Sequence, residues 1–164
     1  MKRVILILLF ASYGVCAQEK FQDPTFFDFW VGDWNLTWKN QDGTTAVGTN
    51  HVLKILDGKV IQENFEDKKN NFRGTSISVY NEKKREWHQA WADNQGGYFN
   101  FIGDISGDSR VFRTQMKEVD EKKIIQRMRF YDIKKDSLIW DWEMSKNDGQ
   151  TWELQWRINY TRAK

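Results

Sequence analysis

The stretch Gly32-Asp33-Trp34-Asn35-Leu36-Thr37-Trp38-Lys39 alternates strictly. Trp34, Leu36 and Trp38 fall on one face of an extended chain, and Asn35, Thr37 and Lys39 on the other, the period-2 pattern of a half-buried β-strand. Downstream, similar short runs recur about every 12 residues, each bounded by turn residues, and none shows a sustained 3.6-residue apolar period. Ten strands are predicted, near 33–40, 46–56, 59–66, 72–80, 86–93, 97–104, 109–117, 123–132, 137–145 and 151–160. Asp42-Gly43, Asp57-Gly58, Gly107-Asp108 and Asp148-Gly149 offer the positive φ of tight hairpins. Every connection is too short for a crossover helix, so each strand pairs antiparallel with the next. Closing such a meander into a barrel removes its two exposed edges, whereas a two-sheet sandwich, the main rival, keeps them. The expectation is an all-β, about ten-stranded antiparallel up-and-down barrel. Ahead of it, Asp23-Pro24 followed by Thr25 to Trp30 predicts a short N-terminal helical turn ending near Gly32, with Asp23 as its cap.

Composition fits one domain. The chain has 164 residues, with 9 Trp, 5 Tyr and 11 Phe, a charged fraction of 29% and a single Pro. So aromatic a chain is not disordered, and a mean hydropathy of −0.74 excludes several membrane-spanning helices. Lys2-Arg3, the apolar run Val4 to Ala11 and the small-residue site Val15-Cys16-Ala17 read as a secretory signal, residues 1–17, leaving 18–164 as the barrel domain. The run is too short for a spanning anchor, so no stable membrane insertion is expected. Cleavage after Ala17 removes the one Cys, and with it disulfides and thiol chemistry. It also removes two of the 25 basic residues, leaving 23 against 23 acidic ones. Without excess charge there is little to gain from phosphate, so nucleic acid is an unfavourable partner. The expected setting is export to the periplasm or beyond, as a monomer or homodimer.

Several segments resemble a known family. Phe29-Trp30-Val31-Gly32-Asp33-Trp34 is similar to the G-x-W signature of lipocalin-like (calycin) barrels. Asp57 to Glu63, Trp87 to Asp93 and Ser145 to Trp152 further resemble a bacterial, uncharacterised branch of exported domains of that kind. The resemblance implies that Trp34 closes the base of the barrel under an Arg from near the last strand, either Arg157 or Arg162, with Arg157 taken as the closing residue. It also implies departures. Only Asn40 to Thr45 joins the first two strands, where fatty-acid-binding relatives carry a helical pair, so any lid is a loop such as Asp67 to Asn71. Haem-binding relatives have an axial His near the C-terminus, whereas this chain has His51 and His88 alone, and no cofactor is expected.

Chemistry-bearing motifs are sparse. Two distant histidines without cysteine pairs do not make a metal site, and there is no nucleophile elbow or phosphate-binding glycine loop. Ser145 to Trp152 resembles an Asp-box hairpin, a structural device in which a short polar side chain ties the turn. What remains is polar groups set among aromatics. Glu63, Gln89, Asp93 and Arg129 are the expected anchors for a ligand, and Trp38, Trp87, Trp91 and Trp142 the walls, with His51 and Arg127 as further candidates. The Trp count exceeds what packing requires. The reading is a binding protein for a small, partly apolar, aromatic or sugar-like molecule. A different class, a cofactor-free isomerase, cyclase or hydrolase, would use Glu63 or Asp93 as acid and base with His51 or Arg127 stabilising charge. A third is a structural module with a filled core. The alternation of strand 86–93 leaves open which of its faces is inward.

Overall fold

The computed structural model describes residues 23–164, so the predicted signal segment lies outside the described residues. Eleven antiparallel strands follow one short 3-10 turn at Asp28–Trp30: β1 (Gly32–Lys39), β2 (Thr45–Ile55), β3 (Val60–Asp67), β4 (Phe72–Asn81), β5 (Glu86–Asp93), β6 (Tyr98–Ser106), β7 (Ser109–Arg113), β8 (Lys117–Val119), β9 (Lys122–Tyr131), β10 (Ser137–Ser145) and β11 (Glu153–Arg162). Consecutive pairing runs from β1 to β7, and then through β9, β10 and β11 back to β1. This is a closed ten-stranded barrel, and the three-residue β8 is an extra strand on β9. Closure disposes of the sandwich.

Two elements differ from expectation. The strand predicted over 109–117 is broken, because Thr114 to Met116 leave the ladder between β7 and β8. β7 pairs with the C-terminal half of β9, and β8 folds back on its first residues. The helical turn is also not capped as expected. The Asp23 carboxylate accepts from the Thr25 amide and hydroxyl at 2.7 and 2.6 Å, making a local turn, while the 3-10 segment begins after Phe27 without a side-chain cap.

This N-terminal segment plugs one end of the barrel. Phe27 is fully buried, stacked on Phe112 at 4.1 Å and set edge-on to Trp87 at 5.5 Å, while Trp30 packs edge-on to Phe130 at 5.2 Å. Burying rings of this size contributes about 1.5–3 kcal/mol each. Two indole N–H groups are satisfied by the plug itself: Trp34 Nε1 donates to the Trp30 carbonyl at 2.7 Å, and Trp87 Nε1 to the Asp23 carbonyl at 2.9 Å. A buried indole rarely goes without such a partner.

Over this plug lies Arg162. Its guanidinium is 3.8 Å from the centre of the Trp34 ring and donates from Nη2 to the Phe29 carbonyl at 2.9 Å and from Nη1 to the Val31 carbonyl. The closing residue is therefore Arg162 and not Arg157. Alternation decides between them: Ile158 and Tyr160 are buried inward, which puts residue 162 on the same face and residue 157 on the other. Gly32 makes room for this contact. Its φ is +134°, and a Cβ there would lie 2.0 Å from Arg162 Nη1.

Candidate functional site

The inner wall changes character from end to end. Near the plug it is packed with rings; at mid-height a belt of short polar side chains crosses it; towards the open end, rings surround a cavity of about 160 Å³. That is close to the ~150 Å³ of an engineered apolar cavity that admits benzene. Strand 86–93 turns Trp87, Gln89, Trp91 and Asp93 inward, which settles the face left open above. The cavity is lined by Trp91, Trp140, Trp142 and Trp156, by four phenylalanines, and by Met128, Ile158 and Tyr160. Two acidic residues complete it, Glu63 at mid-height and Asp93 near the mouth.

Edge-to-face contacts order the rings. Trp156 meets Trp38 at 5.3 Å and Trp140 at 5.7 Å, each nearly perpendicular, and Trp142 meets Phe99 at 5.6 Å and Phe101 at 6.0 Å. Such pairs contribute about 0.5–1.5 kcal/mol each beyond burial. Trp91 is seated by a residue that has no side chain: a Cβ on Gly74 would lie 2.0 Å from its Cζ2.

Glu63 is held in the polar belt. Its Oε1 accepts from Asn50 Nδ2 and its Oε2 from the Ser76 hydroxyl, both at 2.7 Å, and Asn50 Nδ2 also reaches the Tyr160 hydroxyl at 3.1 Å. Burial pushes the Glu63 carboxyl up to about 7, with the two hydrogen bonds opposing it. Burial, and then the neighbouring Glu63 charge, push the Tyr160 hydroxyl well above its ordinary range. Asp93 behaves oppositely. Burial pushes it up, but donation from Trp91 Nε1, the Gly97 amide and the Gln95 amide outweighs this and leaves it below the usual carboxylate range.

The expected site residues divide by strand face. Glu63, Trp91, Asp93 and Trp142 meet at the cavity. Trp38, Trp87 and Gln89 are buried inside the barrel but do not line it: Trp38 backs Trp156, Trp87 belongs to the plug, and Gln89 donates to Ser78 at 2.9 Å. His51, Arg127, Arg129 and Arg157 lie on the outer face and contribute nothing to the interior. His51 pairs with Asp33 on the surface. Arg127 bonds Glu143 at 2.6 Å and lies 3.7 Å from the centre of the Trp152 ring. Arg129 donates to Ser109, and Arg157 forks onto Asp141 with two bonds of 2.7 Å. No protein-family model matches the chain, and no curated protein matches it significantly.

The barrel's site also contains residues the sequence analysis passed over. Asn50 and Ser76 hold the central carboxyl and Tyr160 accepts from Asn50, while Trp140 and Trp156, part of the tryptophan excess already read in the sequence, form much of the wall. For Tyr160 a signal existed, since it alternates in step with Ile158. The partnership of Asn50 with Glu63 depends on the β2–β3 register, which puts Asn50 opposite Phe65 and one pleat from Glu63. The turn after β10 is tied as its motif implies: Ser145 Oγ accepts from the Gly149 amide at 2.8 Å and Asn147 Oδ1 from the Thr151 amide at 2.9 Å.

Proposed function

We propose that this barrel is an exported, lipocalin-like binding protein that holds a small, partly apolar molecule in the cavity between Trp91, Trp140, Trp142 and Trp156. The observation that carries this is the cavity itself: ring-lined, sized for one small ring system, and placed at the end of the barrel opposite the aromatic plug. A concave apolar site with few convergent polar groups is the usual form of a ligand pocket. Ring contacts supply the affinity, and Glu63 and Asp93 orient the polar part of the ligand. Export rests on the character of residues 1–17, and a monomer or homodimer suffices because the cavity is built from one chain.

The Glu63 carboxyl favours a second reading. A carboxyl titrating at about 7 inside a ring-lined cavity is suited to passing a proton, as a cofactor-free isomerase or cyclase requires. His51 and Arg127 lie on the outer face, so Glu63 would work there without the charge-stabilising partners expected of them.

Native mass spectrometry of the protein purified from its own host, before and after denaturation, tests the binding reading. A bound mass lost on denaturation is the expected result. A clean single mass, together with no thermal stabilisation by any member of a panel of small aromatic compounds, would favour a structural barrel instead.

A further inference from the structure

The charge of the cavity is one-sided. Its lining contains two carboxyls, and among the described residues none of it is lysine, arginine or histidine. Each arginine that faces inward is at the plugged end, Arg110 over Phe26 and Arg162 over Trp34. The two buried carboxylates of β10, on the outer face, are each answered by arginine: Asp141 by Arg157 and Glu143 by Arg127. Glu63, the most enclosed carboxyl of the cavity, has no cationic partner among the described residues. Among the described residues it is bonded by the neutral donors Asn50 and Ser76. Both of those donate to it, and each of its oxygens keeps a lone pair for a further donor. Beside it, Asn50 Oδ1 is buried and has no donor among the described residues. The same cavity is lined by four indoles and four phenyl rings, and an aromatic ring carries negative π density on its faces. A carboxylate without a cation in a ring-lined cavity suits a positively charged donor with an apolar body.

Resting on the binding reading above, we infer that the ligand is a small organic ammonium ion, an amine carried on an apolar or aromatic body, with its charge against Glu63 and its body among the indoles. Glu63 gives its proton to solvent as the ammonium arrives, and the resulting ion pair replaces a buried acid. Asp93, ionised at the mouth, attracts the cation inward. The other titratable groups facing the cavity are few: Tyr160 from β11 is neutral through the physiological range, and Asp93 from β5 remains charged.

Three probes with one ring in common separate the possibilities: benzylammonium, benzyl alcohol and benzoate, each titrated calorimetrically into the wild-type protein and Glu63→Gln. The inference expects benzylammonium to bind at least ten-fold tighter than benzyl alcohol at pH 8, with benzoate weakest. In Glu63→Gln that preference of benzylammonium over benzyl alcohol is lost. In the wild type alone, benzylammonium affinity climbs with pH from 5.5 to 8 with release of a proton, and benzyl alcohol affinity does not, so the answer survives a variant that fails to fold. Benzyl alcohol binding as tightly as benzylammonium, with no pH dependence, overturns the ammonium assignment and leaves the cavity as a binding site for neutral molecules. Failure of all three probes at millimolar concentration overturns the binding reading itself.

Discussion

Arg162 lies flat over Trp34, 3.8 Å from the ring centre, and reaches past it to the carbonyls of Phe29 and Val31. One side chain from the end of the last strand thereby joins the first strand to the N-terminal plug. Replacing it with methionine keeps much of the packing and removes the charge-assisted bonds. Arg162→Met is expected to cost about 2–4 kcal/mol, measured by urea denaturation, because a cation–π contact and three charge-assisted hydrogen bonds, to the carbonyls of Phe29, Val31 and Lys135, are lost together. Gly32→Ala should lose a similar amount, since its Cβ would occupy the place of Nη1 at a φ that side chains avoid.

Trp91 covers Gly74 so closely that any side chain there must move the indole. Gly74→Ala is expected to destabilise the barrel by about 1–3 kcal/mol, the usual range for overpacking. Its more telling effect is on the site. A displaced Trp91 loses its bond to Asp93 and reshapes the cavity wall, so benzylammonium should bind at least ten-fold more weakly. Urea denaturation and calorimetry check the two halves separately.

Glu63 gives the barrel a pH signature. Its carboxyl titrates at about 7 in the folded protein against an ordinary 4.5, so between these values the folded chain holds more protons than the unfolded one. Its contribution to stability therefore falls as pH rises through that window, by up to roughly 3 kcal/mol in all. Glu63→Gln removes the titration. The difference in stability between the variant and the wild type should grow in the variant's favour from pH 4.5 to 7 and then level off. A flat difference across that range would mean that Glu63 is not buried as described.

Arg127 was a ligand candidate in the sequence, but it works on the outside. It and Glu143 are each only about a tenth exposed, at 12% and 11%. Removing one partner leaves the other charge enclosed and unpaired, which typically costs about 3–5 kcal/mol. Arg127→Met is expected to lower stability by about that much and leave ligand affinity unchanged within two-fold. Weakened binding in a fully folded Arg127→Met protein would argue that the outer face takes part in recognition.

The fold was largely legible because alternation and turn chemistry are local. The Trp34, Leu36 and Trp38 face points inward as read, and the hairpin after β10 is tied by Ser145 and Asn147 as its motif implies. Alternation could have gone further. Met128 and Phe130 are apolar and inward, which already requires Arg127 and Arg129 to point out, and the same parity selects Arg162 over Arg157. Strand 86–93 resisted because both faces are apolar in part. Its direction is set by β4, where Gly74, Ser76 and Ser78 leave room inside for Trp91 and Gln89. The central carboxyl site was the least legible. Asn50, Glu63, Ser76 and Tyr160 come from four strands, and their meeting depends on register and closure rather than on any short motif. The break at Thr114 to Met116 was hidden for a related reason, because pairing on β9 decides where β7 stops.

The central claim is that the ring-lined cavity receives the ligand, and methionine methyl resonances test it most directly. Met128 lines the cavity and is 6% exposed, while Met116 lies on the surface at 42%. With both ε-methyl signals assigned in ¹³C-methyl NMR spectra, a titration with benzylammonium should move the Met128 signal saturably, under the ring current of the bound molecule, and leave Met116 in place. An unmoved Met128 signal in the folded protein at millimolar benzylammonium, or movement confined to Met116, would contradict the account.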